Sequence, residues 1–215
     1  MKHLPHQHYD VLAQQYDSRW KTYVQTTLQR LISSLALKGT EAILDVACGT
    51  GELERLLHNI YPAIKITGVD PSAGMLEVAR AKLLPTSVIQ FIQGDANSLP
   101  CNNGQFDVVL TASAFHYFPD PVAALREMQR TLHPDGKIII LDWCRDYWLC
   151  AAYDVVLKLI DKSHAQCYTV DEMRGFAAAA SLPIVGQEKF RTSWLWGMMQ
   201  VTLASPQSAA DRLLK

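Results

Sequence analysis

The sequence predicts an α/β fold in three layers, a mostly parallel sheet covered by helices on both faces. Apolar strand-like runs alternate with helix-period segments through the middle of the chain. Those runs are apolar on both faces, as in a sheet buried from two sides. A chain of 215 residues suits one domain with a sizeable core and leaves little room for a second. The stretch Ile43–Glu54, "ILDVACGTGELE", joins the first such strand to a helix through two glycines, the kind of turn at which α/β sheets admit a ligand.

Larger side chains at Trp20, Tyr23, Val24, Leu28, Leu31, Ile32 and Leu35 recur with helical period and predict a helix over 20–35. After Gly39 the pattern changes: "AILDVA" reads as a buried strand, "GELERLLHNI" as a helix and "IKITGVD" as a strand. "PSAGMLEVARAKL" follows as a helix with Ser72 as N-cap. "VIQFIQGD" and "FDVVLTAS" are strands, and Asp120-Pro121 opens a helix to about Leu132. "HPDG" predicts a turn before the strand "KIIILDW". Thr169 and Glu172 have capping-box spacing for a helix that Pro183 ends. "IVGQEKF" and "TSWLWGMMQVTLAS" supply two last strands, the second alternating Trp194, Trp196 and Met198 against Leu195, Gly197 and Met199. The expected organisation is an N-terminal helical cap (1–38), a ligand-binding core (39–143), a lid insertion with an apolar helix (144–168), and a C-terminal helix and strands (169–215).

Lysine and arginine number 20 against 21 acidic residues, a net charge of −1, and no block of like charges advertises nucleic-acid capture. No apolar run is long enough to span a bilayer. "MKHLPHQHYD" lacks the apolar segment of a signal peptide. Five cysteines, an odd number without a CxxC, argue against a disulfide framework, and the expectation is a reduced, cytoplasmic protein.

The dinucleotide fingerprint G-x-G-x-x-G is met at Gly49 and Gly51, but its third position falls on Glu54, whose carboxylate sits poorly beside a diphosphate. No lysine follows the glycines, which excludes a P-loop. Asp45 precedes the turn. Asp70 ends the next strand about 20 residues on, where a carboxylate accepts both ribose hydroxyls. Asp95 ends the third strand, placed to receive an adenine amine while the Ala96 amide donates to a ring nitrogen. Three aspartates at successive strand ends beside a glycine turn fit a nucleoside without phosphates.

The stretches "ILDVACGTGEL", "GVDPSAGMLEVAR", "IQGDANSLP", "FDVVLTASAFHYFPD" and "LREMQRTLHPDGKIIILDW" resemble the successive motifs of class I S-adenosylmethionine-dependent methyltransferases. They are similar in particular to the small-molecule branch that includes the ubiquinone and menaquinone enzymes. The resemblance covers about residues 9–143. It implies a Rossmann-like sandwich with a seven-stranded sheet whose last strand is antiparallel, N-terminal helices, and a lid insertion before the last helix. It also implies S-adenosylmethionine as cofactor and S-adenosylhomocysteine as product. By that resemblance Ala47, Gly49 and Gly51 approach the methionine moiety, Asp70 binds the ribose, and Asp95 with Ala96 holds the adenine between Pro71 and Met75. Thr111 faces the methionine end, and Tyr16, in "YDSRW", matches a segment that folds over the cofactor. The chain departs from the quinone enzymes after Trp143, so their substrates do not carry over.

The expected acceptor is a small, largely apolar or aromatic molecule, with Tyr117, Trp143, Arg145, His164 and Trp196 as its contacts. His116, just past the fourth strand, is the candidate general base. His3, His6 and His8 read as solvated histidines and no metal is expected. Cys144 and Cys150 lack the cysteine arrangement of an arsenite site. Two rival functions stand beside methyl transfer: a nicotinamide-dependent oxidoreductase, and a module that binds S-adenosylmethionine without transferring its methyl group.

Overall fold

A computed structural model describes residues 5–83, 88–160, 166–192 and 196–208. In chain order the elements are α1 (Pro5–Leu35), β1 (Ala42–Val46), α2 (Glu52–Ile60), β2 (Lys65–Asp70), α3 (Ala73–Ala81), β3 (Ile89–Gln93), β4 (Phe106–Ala112), α4 (Pro121–Thr131), β5 (Leu132–Trp143), α5 (Trp148–Ile160), α6 (Val170–Ala179), β6 (Ile184–Arg191) and β7 (Gly197–Ala204). A single 3₁₀ turn, Phe115–Tyr117, follows β4. The seven strands form one sheet in the order β3-β2-β1-β4-β5-β7-β6. Neighbours from β3 to β5 are parallel, and β7 runs antiparallel to both β5 and β6. The Rossmann-like sheet with an antiparallel last strand is therefore present as expected.

Strand periodicity divides the core between the two faces of the sheet. In β5, Ile138 and Ile140 join Leu125, Met128 and Met173 under α4 and α6. Ile139 and Leu141 join Leu28, Leu31, Leu35 and Leu57 under α1 and α2. All four β5 residues are at most 1% exposed, and each such side chain contributes about 1.5–3 kcal/mol of burial. The reversal of strand order beside β1, with β2 to one side and β4 to the other, leaves a crevice at the carboxyl ends of β1 and β4.

Three caps act as the sequence predicts. Ser72 accepts the Met75 N–H, and Asp120 accepts from Val122 and Ala123 with Pro121 in the first turn. Thr169 and Glu172 complete a capping box. Two details differ. "HPDG" is not a separate turn: the β4–β5 register jumps from Phe106–Leu132 to Val108–Lys137, so residues 133–136 bulge within β5 opposite Asp107. The N-terminal cap is one helix of 31 residues rather than several, and it begins well before Trp20. Its first half carries a sparser face than the leucine-lined second half, because that half lies over a cleft instead of a core.

Candidate active site

The crevice is shaped by the two turns that leave β1 and β2. Past β1, Ala47 takes a left-handed conformation (φ 63°), and the N–H groups of Ala47 and Cys48 donate to Val69 O at 2.7 and 3.1 Å. Gly49 follows at φ 55°, and its N–H donates to Asp70 Oδ2 at 2.8 Å. Asp70 Oδ1 accepts the Ser72 N–H at 2.9 Å. One carboxylate thus ties the glycine turn to the start of α3. Gly51 (φ 71°) begins α2 so close to the sheet that a Cβ there would stand 2.7 Å from Phe91 Cζ.

These turns border a cavity of about 370 Å³. Asp70, Pro71, Met75, Asp95 and Ala96 line one end, Ala47, Cys48 and Gly49 the middle, and Tyr23, Val24, Thr27, Leu28, Leu53 and Ser113 the other. The α1 helix closes it. Asp10 Oδ1 accepts from Ser72 Oγ at 2.5 Å and from the Gly74 N–H at 2.9 Å. Two turns further along the same side, Asp17 accepts from Thr50 Oγ1 at 2.5 Å and pairs with Lys82.

Beneath the glycine turn lies a buried carboxyl pair. Asp45 is 3% exposed and Glu54 is 0% exposed. Burial and the neighbouring carboxylates raise both, Asp45 well above the usual carboxylate range and Glu54 to about 8. The pair therefore carries a proton at neutral pH. Asp45 and Glu54 face each other within hydrogen-bonding range, and Asp45 also lines the cavity.

The structure brings Tyr16, Asp45, Ala47, Gly49, Asp70, Pro71, Met75, Asp95, Ala96 and Tyr117 to the cavity wall. It does not bring Gly51, Thr111, His116, Trp143, Arg145 or Trp196 there. Thr111 is fully buried in β4, and the wall is formed by the next residues, Ala112 and Ser113. His116 is 1% exposed: its Nδ1 lies 2.7 Å from Asp142 Oδ1, its N–H donates to Asp142 Oδ2, and its ring stacks on Trp143 at 4.6 Å. Arg145 pairs with Glu172 at 2.6 Å, reinforcing the cap of α6. Trp196 packs edge-on against Trp143 and Tyr153. His164 and Trp194 lie outside the described residues, as do His3 and the side chains of His6 and His8. No described residue of the 144–168 segment lines the cavity. Its helix α5 packs instead on the β7 side, where the Gly197 N–H meets Cys150 Sγ at 3.2 Å.

Sequence reasoning missed most of α1. Tyr9, Tyr16 and Tyr23 all line the cavity, and their spacing of seven residues was the available signal: two helical turns return to the same face. Tyr9 contacts Tyr16 at 6.2 Å and Tyr117 at 5.7 Å, each edge-on, so an aromatic row crosses the mouth. Among the described residues no cluster of three or more His, Cys, Asp or Glu could hold a metal ion, and no helix is long and apolar enough to cross a membrane.

The sheet order, the glycine turn and the strand-end aspartates are the arrangement that the resemblance to class I S-adenosylmethionine-dependent methyltransferases implied. Residues 44–140 match the family described as a methyltransferase domain. It is 35% identical over 132 residues to a demethylmenaquinone methyltransferase of Thermotoga maritima, covering 61% of this chain and 53% of the relative. A Staphylococcus aureus protein of the same name is 39% identical over 106 residues, covering 49% and 44%. The chain thus spans about half the length of the curated relatives it matches. Among solved structures it resembles the Haloferax volcanii methyltransferase in complex with the Trm112 activator, with a TM-score of 0.80 at 19% identity over 92% of this chain and 97% of that one. A Bacillus halodurans methyltransferase gives a TM-score of 0.72 at 20% identity over 83% and 98%. These two likenesses speak to the fold.

The residues present fit the family's cofactor. Asp70 and Asp95 border one end of the cavity, and an open-faced Gly49, where a Cβ would meet nothing within 4 Å, lets a ligand approach the backbone at its middle. They do not suit a dinucleotide: Glu54, at the place of the third fingerprint glycine, is buried against Asp45, and Glu52 shares the first turn of α2.

Proposed function

We propose that the protein transfers the methyl group of S-adenosylmethionine to a small, largely apolar aromatic acceptor. The observation that carries this reading is the continuity of one cavity from the strand-end aspartates to a chamber beneath α1. A nucleoside suits the first end. The second, walled by Tyr23, Val24, Leu28 and Leu53, suits a ring. The names of the similar bacterial proteins, demethylmenaquinone methyltransferases, support a quinone-like ring. The cofactor supplies an electrophilic methyl on a sulfonium. This chain's residues would align the two reactants and exclude water, and the aromatic row on α1 and Tyr117 serves both ends. Asp70 would accept the ribose hydroxyls, and Asp95 the adenine amine. His116, bonded to Asp142 and stacked on Trp143, would brace the wall behind the chamber. All five cysteines are free thiols, in keeping with work in a reducing cytoplasm.

S-adenosylhomocysteine should bind and raise Tm. At a hundredfold excess over its Kd the stabilisation is about 2.7 kcal/mol. NADH, titrated in parallel, should give no shift. Calorimetry reads both, and protein freed of cofactor that ignores S-adenosylhomocysteine sinks the proposal.

A further inference from the structure

At the chamber end of the cavity three side chains form a hydrogen-bonded series. Trp143 Nε1 donates to Tyr23 Oη at 2.7 Å, and Tyr23 Oη lies 2.6 Å from Ser113 Oγ. An indole N–H can only donate, so the tyrosine oxygen accepts there and must place its own proton elsewhere. Three side chains face that proton: Ser113 Oγ at 2.6 Å, Met198 Sδ at 3.8 Å and the Thr27 hydroxyl, whose oxygen completes no hydrogen bond among the described residues. Ser113 Oγ takes it, because a thioether is a weak acceptor, Thr27 stands outside hydrogen-bond geometry, and the Ser113 contact has the length of a strong O–H···O bond. Burial raises the Tyr23 phenol well above its ordinary value, so this proton is retained.

With the Tyr23 proton on its oxygen, the Ser113 hydroxyl hydrogen is turned away from Tyr23. Ser113 lines the cavity just beyond β4. Its backbone is held in the left-handed region at φ 57°, uncommon for a residue other than glycine, and its N–H donates to Leu141 O at 2.7 Å. The serine is therefore fixed at the end of a series whose direction the indole sets.

We propose that Trp143, Tyr23 and Ser113 form a one-way hydrogen-bond chain that presents the Ser113 hydroxyl as a donor to an oxygen atom of the methyl acceptor. The acceptor is then an oxygenated aromatic ring, a phenol or hydroquinone, rather than a bare hydrocarbon ring or an ammonium-bearing one. Trp143 acts as a positioning residue without touching the ligand, and Ser113 makes the contact. This rests on the reading of the chamber beneath α1 as the acceptor's place.

The test uses 2-naphthol and naphthalene as probes, measured by equilibrium dialysis in saturating S-adenosylhomocysteine. The wild type should hold 2-naphthol at least tenfold more tightly than naphthalene. Ser113→Ala and Tyr23→Phe should each abolish most of that preference by weakening 2-naphthol alone. Naphthalene is the internal control, since damage to the chamber's shape weakens both probes together. Equal affinity of the wild type for the two probes, retention of neither, preserved preference in both variants, or a parallel loss of both probes would overturn the chain. Failure of S-adenosylhomocysteine to bind in its own titration would instead overturn the methyltransferase reading. The preference for 2-naphthol is then read in the cofactor-free protein, with the same outcomes.

Discussion

Gly49 and Gly51 share a motif and a left-handed backbone, yet their missing side chains serve different ends. A Cβ on Gly49 would meet nothing within 4 Å, at the wall of the cavity. A Cβ on Gly51 would collide with Phe91 and Ala79 at 2.7 and 2.9 Å. Gly51→Ala should therefore destabilise the fold by about 2–4 kcal/mol, combining left-handed strain with overpacking. Gly49→Ala should cost about 1 kcal/mol of stability but weaken S-adenosylhomocysteine at least tenfold. Denaturant unfolding and calorimetry separate the two. Glu54 makes a different test. It is faced by Asp45, Asp70 and Cys48, with Lys82 as the neighbouring cation, and is held up to about 8 against an ordinary 4.5. The folded protein thus binds a proton that the unfolded chain has already released between those values. Stability from this group is complete below pH 4.5 and lost as pH rises through 8. Tm should fall between pH 5 and 8.5, and Glu54→Gln should flatten that fall. An equal slope in the variant would place the proton elsewhere.

At the scale of elements, α1 has two halves with different duties. Leu28, Leu31 and Leu35 are buried against β1, β4 and β5, whereas residues from Tyr9 to Tyr23 cover a cavity. The first half is fastened at Asp10 and Asp17 by polar contacts to the turns it spans. A segment held by polar clamps rather than by a leucine seam is suited to open locally. A bound molecule must pass beneath it, so Asp10→Ala should speed S-adenosylhomocysteine release about tenfold while leaving Tm of the unliganded protein within a few degrees. Stopped-flow release is the measurement, and an unchanged rate would mean that exchange avoids α1. The tyrosines seven apart were legible in the sequence. That they faced a ligand space was not, because one helix face reads alike whether it meets a core or a cavity.

For the molecule as a whole, the segment that matches the family ends at residue 140, but the fold does not. β7 inserts between β5 and β6, and its Met198, Met199, Val201 and Leu203 are fully buried. A chain ending at Trp143 would leave β5 as a long apolar edge. Such a chain should aggregate or remain unfolded, as read by circular dichroism and gel filtration. A soluble, cooperatively melting fragment would contradict this. The same arrangement explains the fate of residues 144–168. Their apolar helix suggested a lid, yet Cys150 and Tyr153 face Gly197 and Trp196 at the far side of β5. Nothing local in the sequence distinguishes a helix that covers a ligand from one that supports a strand.

The sequence by itself determined the strands, their caps, the glycine turn and the aspartates around it, because each is a local pattern: alternation, capping spacing, a backbone that needs glycine. Asp70 and Asp95 needed only to stand at successive strand ends to share a cleft. Tertiary structure decided what the cleft continues into. Ser113 becomes a wall residue only when β4 ends beside α1, and Tyr23 and Trp143, 120 positions apart, meet only when the first helix lies across the fifth strand. Contacts of that kind depend on the packing of whole elements, and no local spacing encodes them.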